Sequence, residues 1–377
     1  MRRLIHDLLI QDLKRKMVLL SGPRQVGKSW LAKEIMLSSP RPVYLNYDDI
    51  DGRTIIEKRR WPSDTTLIVF DEIHKMPGWK NYLKGIYDTK PEEMSMLVTG
   101  SARLETFRHS GDSMAGRYYH RRLMPISPRE AAAAGVERNL DHFLSRGGFP
   151  EPFLTADDAD AGRWRRQYLD GLVREDILDF ENIMGLKAMN LLVELLRGRV
   201  GSPINYQGLS EDLGIAPNTV KHYIEILEAL CIVFRVYPHH RSIARSLVKQ
   251  AKLYFYDTGL VKDRGARYEN FIALSLATAL MSLEDSDGRN RGLRYVRTRD
   301  GREVDFAVTV EDELKLLVEA KYSDPDPDPN LRYFVDRLDV QGLQLVGDLR
   351  LEYDDGRIQV RRSMDWLQTV ADASMLS

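Results

Sequence analysis

Two groups of residues in this chain have the types and spacing to do chemistry. The first is the run Gly22, Pro23, Arg24, Gln25, Val26, Gly27, Lys28 and Ser29, which spells G-x-x-x-x-G-K-[ST]. Glycines at its two ends let backbone N–H groups curl around phosphate oxygens, and a lysine there reaches the β- and γ-phosphates. The serine hydroxyl is a Mg²⁺ ligand in such a loop. These eight residues and Trp30 are the expected ATP contacts, with Lys28 also acting on the transferred phosphoryl group. The second group lies far downstream: Asp305, Glu319 and Lys321.

Each group needs elements to position it. Met17–Leu20 reads as a short buried strand before the glycine loop, and "SWLAKEIM" after it has helical spacing. Strand, loop and helix in that order are the context a phosphate cradle requires. Thr66–Phe70 is a continuous β-branched and apolar run, as expected of a strand covered on both faces. Asp71 ends it, placed to hold the Mg²⁺ shell with Ser29, and Glu72 follows as the residue that polarises the attacking water. A third strand, "SMLVTGS", ends in Thr99 and Ser101, two hydroxyls placed to sense the γ-phosphate.

In "LLVEAKYS" an acid and a lysine stand two apart, but so do Asp12 and Lys14, Asp88 and Lys90, and Glu313 and Lys315. The triplet alone carries nothing; position does. Residues two apart in a strand share a face, so Glu319 and Lys321 converge. Upstream, "GREVDFAVTV" alternates, with Val304, Phe306 and Val308 on one face and Glu303, Asp305 and Ala307 on the other. Glu311–Glu313 makes a polar turn between the two runs, which together predict an antiparallel hairpin. Asp305 and Glu319 then face one another. Two such carboxylates repel unless a cation lies between them, and Mg²⁺ or Mn²⁺ is the expected occupant. Lys321 would orient or deprotonate a water for attack on a phosphodiester. Glu269, at the start of an apolar-faced helix, offers a third carboxylate.

A chain of 377 residues exceeds one ordinary core. Its formal net charge of −1 argues against a surface that coats nucleic acid or membrane throughout, while leaving a local basic face open. Cys231 is the only cysteine, so no intrachain disulfide and no cysteine-based zinc site is expected, in keeping with a reducing cytosol. The first twenty residues carry charges every few positions, unlike a signal peptide, and no apolar run approaches the ~20 residues of a bilayer span. A cytoplasmic location with no membrane partner follows. "SDPDPDPN" reads as a solvated loop.

The middle of the chain is helical in pattern, interrupted at "SRGGFPEPF". Within it, Tyr206–Leu213, the turn "GIA" and a second helix from Pro217 predict a helix-turn-helix. Val220, Tyr223, Ile224 and Leu227 form its buried stripe, and Asn218, Thr219, Lys221 and His222 its exposed N-terminal end. From Cys231 through Tyr256 there is no acid, while Arg235, Arg241, Arg245, Lys249 and Lys252 occur. That one-sign stretch suits contact with DNA phosphates, single- or double-stranded.

Taken together, "SGPRQVGKS", "IVFDEIHKMPGW", "LVTGSA", "AGRYYHRRLMPISPRE" and "GGFPE" resemble a family of prokaryotic AAA+-type ATPases, and the resemblance runs along nearly the whole chain. In that family the ATPase precedes a domain related to PD-(D/E)XK nucleases. The resemblance implies that Arg117 is an arginine finger or sensor, which in trans requires a homo-oligomer. It also implies that Glu269, Asp305, Glu319 and Lys321 match the nuclease pattern, with the departure that Asp305 sits in "EVDF" rather than after a proline. The expected architecture is α/β: a P-loop parallel-sheet ATPase core (1–127), a helical lid (128–200), a winged helix-turn-helix (201–260) and a nuclease-like α/β domain (261–377). The expected function is Mg²⁺-dependent ATP hydrolysis coupled to nucleic-acid binding or processing. The alternative is a nucleotide-dependent switch or scaffold whose inactive nuclease-like domain binds a protein partner.

Overall fold

A computed structural model describes residues 1–100, 114–136, 138–172, 183–240 and 250–369. The chain divides into two compact units: Met1–Met124 with Ala229–Cys231, and Pro125–Glu228 with Ile232–Ser377.

The first unit holds strands β1 (Met17–Ser21), β2 (Pro42–Asn46), β3 (Leu67–Asp71), β4 (Ser95–Thr99) and β5 (Tyr118–Arg122), in the order β2-β3-β4-β1-β5. Every pairing is parallel. A parallel sheet is covered on both faces, and the side chains divide accordingly. Met17, Leu19, Ile68 and Phe70 enter one core cluster, whereas Val18, Leu20, Leu67 and Val69 enter another. This is why β1 and β3 read as unbroken apolar runs. Because the strands are parallel, their C-terminal ends share one edge. Leu20 pairs with Thr99, and Thr99 with Asp71, so the glycine loop after β1 and the acid ending β3 flank β4.

The second unit begins with helices, among them Pro128–Ala133, Leu140–Arg146, Asp158–Gly171 and Ile183–Leu196. Gly147 breaks them at φ 69°, and a Cβ there would meet Asp257 Oδ1 at 2.2 Å, so only glycine fits. The two helices expected next are present at Tyr206–Leu213 and Pro217–Ala229, joined through Gly214 in the left-handed region. Val220, Tyr223, Ile224 and Leu227 are buried as expected, and Ile226 joins them. Asn218, Lys221 and His222 are exposed, and Thr219 is half-buried.

An eight-stranded sheet follows, made of β6 (Val233–Pro238), β7 (Lys252–Phe255), β8 (Arg291–Arg297), β9 (Glu303–Val310), β10 (Glu313–Lys321), β11 (Gln341–Val346), β12 (Tyr353–Asp355) and β13 (Ile358–Arg362). Its order is β12-β13-β11-β10-β9-β8-β6-β7, so the sheet continues across position 260. The expected β9–β10 hairpin is present and antiparallel, with Phe306 opposite Val318.

One expectation needs correction here. Strict alternation along β9 fails, since Val304 and Ala307 lie in the same core cluster. Arg294 pairs with Ala307 but Val296 pairs with Val304, so β9 carries one extra residue at Asp305–Phe306. Such a bulge re-aims a side chain, and here the side chain is Asp305. The Asp-Pro run is a largely exposed loop, as expected, fastened from below. The fully buried Gln344 donates to the carbonyls of Asp324 (3.1 Å) and Asp326 (2.8 Å) and accepts from the Asp328 N–H (2.8 Å), pinning the run to the sheet. Cys231 is buried. Among the described residues, no helix is long and apolar enough to cross a membrane.

Candidate functional site

The glycine loop of the first unit is built on backbone that few residues adopt. Gly22 lies at φ 150°, and a Cβ there would meet Leu123 O at 2.2 Å. Gln25 (φ 58°) and Gly27 (φ 99°) are left-handed, and the helix Lys28–Met36 starts immediately after. Val26 is fully buried, leaving only its peptide for a ligand, and its carbonyl accepts from Arg3 at 2.7 Å. Arg3 also donates to Met124 O at 2.5 Å, fastening the loop from the N-terminal segment. Pro23 is buried, Arg24 half-buried, Gln25 exposed, and Trp30 stands 45% exposed.

Lys28 is folded onto its own loop, donating to Gly22 O (2.9 Å) and Pro23 O (2.7 Å). Burial pulls its ammonium down to about 8, against the opposing charge of Glu72. The buried Asp71 collects hydroxyls. Ser29 Oγ donates at 2.7 Å and Thr99 Oγ1 at 2.5 Å, and the Tyr44 hydroxyl donates to the oxygen that Ser29 uses. Ser29 and Asp71 are therefore together, as the sequence predicts for a shared Mg²⁺ shell. Thr99 Oγ1 is thus engaged by Asp71. Glu72 has left-handed backbone (φ 56°), and its carboxylate is 3.7 Å from His74 Nε2 and 3.9 Å from Lys75 Nζ. Burial, and next the charge of Asp71, raise its pKa, which suits a proton acceptor. Arg117 forks onto Asp88 of its own chain at 2.7 and 3.2 Å. Ser101 lies outside the described residues. The residues present fit a Mg²⁺–nucleotide: a glycine cradle, an ammonium resting on exchangeable carbonyls, and a serine–aspartate pair.

The acidic group of the second unit is arranged differently. Asp305 and Glu319 are adjacent: the Asp305 N–H donates to Glu319 Oε2 (3.3 Å), and the Ala320 N–H donates to Asp305 Oδ2 (3.1 Å). Lys321 bridges Glu319 (2.9 Å) and Asp328 (2.8 Å). Glu269 joins the group, accepting from Tyr254 OH at 2.7 Å. At the centre stands Lys252, 1% exposed, with Nζ 2.7 Å from Glu303, 3.3 Å from Glu269 and 3.5 Å from Asp305. Burial alone would pull this lysine down, yet Glu269, Asp305 and Glu303 outweigh it and raise it. Burial, then the charge of Asp305, raises both Glu269 and Glu319. Among the described residues, no three His, Cys, Asp or Glu are arranged to hold a metal ion.

Lys252 is thus not the phosphate-facing cation its acid-free surroundings suggest, and Arg235 is likewise engaged, by Glu228 at 2.9 Å. Arg241, Arg245 and Lys249 lie outside the described residues. The sequence reading missed Arg3, Tyr44 and the role of Lys252. Only Lys252 carries a local signal, as a lone charge among Ala251, Leu253, Tyr254 and Phe255.

Residues 14–132 match a family model described as an AAA domain. That stretch is similar to AAA domains. Residues 137–264 match a domain of unknown function. The chain is 24% identical over 324 residues to an uncharacterized protein of Mycobacterium tuberculosis, covering 82% of this chain and 69% of that protein. It is 22% identical over 352 residues to an uncharacterized protein of Methanocaldococcus jannaschii, covering 84% and 77%. Among solved structures, a Walker-type ATPase of Pyrococcus abyssi matches with a TM-score of 0.42 at 14% identity, over 68% of this chain and 93% of that one. A Thermotoga maritima RuvB matches at 0.31 and 15%, over 62% and 88%.

Proposed function

We propose that this chain is a Mg²⁺-dependent ATPase whose nucleotide state governs how its second unit engages a nucleic acid. The observation that carries the first part is the arrangement around Lys28: an ammonium hydrogen-bonded to two loop carbonyls, beside Ser29 and Asp71 in direct hydrogen bond. Phosphate oxygens offer Lys28 full charge in place of two carbonyls, so nucleotide binding moves its Nζ from Gly22 and Pro23 to the β- and γ-phosphates. Bound Mg²⁺ supplies charge neutralisation on those phosphates. Ser29 and Asp71 hold it, Glu72 accepts the proton of the attacking water, and the Gly22–Trp30 segment positions the nucleotide, with Ser101 sensing its γ-phosphate. Arg117, once released from Asp88, is the candidate finger for a second copy in a homo-oligomer.

The nucleic-acid part rests on the helices Tyr206–Leu213 and Pro217–Ala229, with Asn218, Lys221 and His222 exposed at the start of the second. In this reading the ATPase core, helical lid, winged helix-turn-helix and nuclease-like domain are the working parts, and the site of action is cytoplasmic. A second reading, in which the nuclease-like domain is a binding scaffold and cuts nothing, is favoured by the lysine pairing of its carboxylates. The test is ATP hydrolysis by the full chain and by Lys28→Ala, with duplex and single-stranded DNA binding measured with and without ATP. Equal hydrolysis by the two chains overturns the ATPase reading. DNA affinity indifferent to ATP overturns the coupling.

A further inference from the structure

We infer that Lys252 is the resident cation of the acidic cluster, standing where the nuclease-like pattern calls for Mg²⁺ or Mn²⁺, so that the cluster takes no divalent ion. Going beyond the ATPase reading, this concerns only the second unit. An ammonium carries three N–H donors, and Lys252 has three carboxylates around it, Glu303 at 2.7 Å, Glu269 at 3.3 Å and Asp305 at 3.5 Å. Those separations suit an N–H···O cage; Mg²⁺ requires oxygens at about 2.0–2.1 Å in near-octahedral array. The remaining acid of the expected metal set, Glu319, is paired with Lys321, which also binds Asp328. Five carboxylates are therefore shared by two ammonium groups, and each expected ligand already has a cation.

The strand that carries Lys252 is also fastened in place. Lys252 lies on β7, the last strand of the sheet, and its neighbours on that strand are fixed to the helix Arg264–Asp287. The fully buried Asn270 accepts from the Phe255 N–H (2.7 Å) and donates to the Phe255 carbonyl (2.9 Å), and Tyr254 donates to Glu269. Gly201 closes another side: a Cβ there would come within 2.6 Å of the Glu269 carboxylate. The Tyr295 ring lies 5.5 Å from Nζ. An exchangeable metal site would need Lys252, 1% exposed, to leave its three carboxylates, whose side chains are 18–22% exposed.

The test is Mn²⁺ binding to the nucleotide-free full chain in an Asp71→Asn background, which removes the aspartate of the nucleotide site. Electron paramagnetic resonance is expected to show no Mn²⁺ site that depends on Asp305 or Glu319. Adding Lys252→Ala is expected to tighten Mn²⁺ binding at least tenfold and to make the melting temperature rise with Mn²⁺. One equivalent of Mn²⁺ bound with Lys252 intact, and lost on adding Asp305→Asn or Glu319→Gln, overturns the inference. So does a folded Lys252→Ala chain that binds Mn²⁺ no better than its parent. Should Lys252→Ala not fold, Lys252→Met combined with Glu269→Gln and Glu303→Gln is expected to recover the melting temperature that Lys252→Met alone loses. Equal melting temperatures for the single and triple variants overturn it. ATP hydrolysis, measured separately with Asp71 restored, reports on the nucleotide site alone.

Discussion

Lys28 and Lys252 are both buried ammonium groups, and they are held in opposite ways. Lys28 rests on two loop carbonyls and its pKa is drawn down to about 8; Lys252 is caged by three carboxylates and its pKa is raised. Dipoles hold a charge loosely enough for a phosphate to take it over, whereas opposing charges in a closed cage do not let go. A lysine near acids is thus a ligand-exchange site or a structural counter-ion according to what it touches in the unliganded chain.

Lys28→Ala removes the charge that meets the phosphates, and ATP turnover is expected to fall by at least about 10²-fold, the scale of losing one preorganised charge-stabilising donor. Steady-state hydrolysis checks this, and a melting temperature close to the wild type would show that the fold is retained. The corresponding change in the second unit should act on stability instead. Lys252→Met leaves Glu303, Glu269 and Asp305 without their cation, and is expected to cost about 3–5 kcal/mol in urea unfolding while sparing ATP turnover.

Proton linkage sharpens the contrast. Lys28 titrates at about 8 in the folded chain against an ordinary 10.5. The folded state pays the full burial cost below pH 8, and that cost is lifted as pH rises from 8 to 10.5, where the unfolded chain holds the extra proton. Bound phosphates keep Lys28 protonated, so above pH 8 ATP binding takes up a proton and affinity falls by up to about tenfold per pH unit. Calorimetry in buffers of different ionisation enthalpy at pH 9 and pH 6.5 is expected to show uptake through Lys28 only at the higher pH. Smaller still is Tyr44→Phe, which removes one of three hydroxyls from Asp71. A change of about tenfold or less is expected, in KM for Mg²⁺–ATP more than in kcat. If the helix Pro217–Ala229 contacts DNA as proposed, Lys221→Ala should weaken that binding evenly across sequences and reduce the salt slope by about 1.

Much of the first unit was legible in the sequence because phosphate chemistry demands contiguous residues. Gly22–Ser29 and Asp71–Glu72 announce themselves, and the apolar runs before them fix two neighbours of β4. Tyr44 and Arg3 were not legible, because their partners, Asp71 and the Val26 carbonyl, become neighbours only through sheet order and helix packing. In the second unit the hairpin register of Asp305 and Glu319 could be read from alternation and a polar turn. The bulge at Asp305–Phe306 could not, since it depends on how β8 pairs. Lys252 misled for the same reason: the acids it binds come from β9 and the helix Arg264–Asp287, so its local run looks basic and unpaired. Local chemistry is written locally, and counter-ions are supplied by topology.

The most direct measurement is Mn²⁺ binding to the full chain with and without a non-hydrolysable ATP analogue. One tightly bound Mn²⁺ per chain is expected, appearing only with the nucleotide and lost in Asp71→Asn. A tightly bound Mn²⁺ that needs no nucleotide and depends on Asp305 would contradict that expectation.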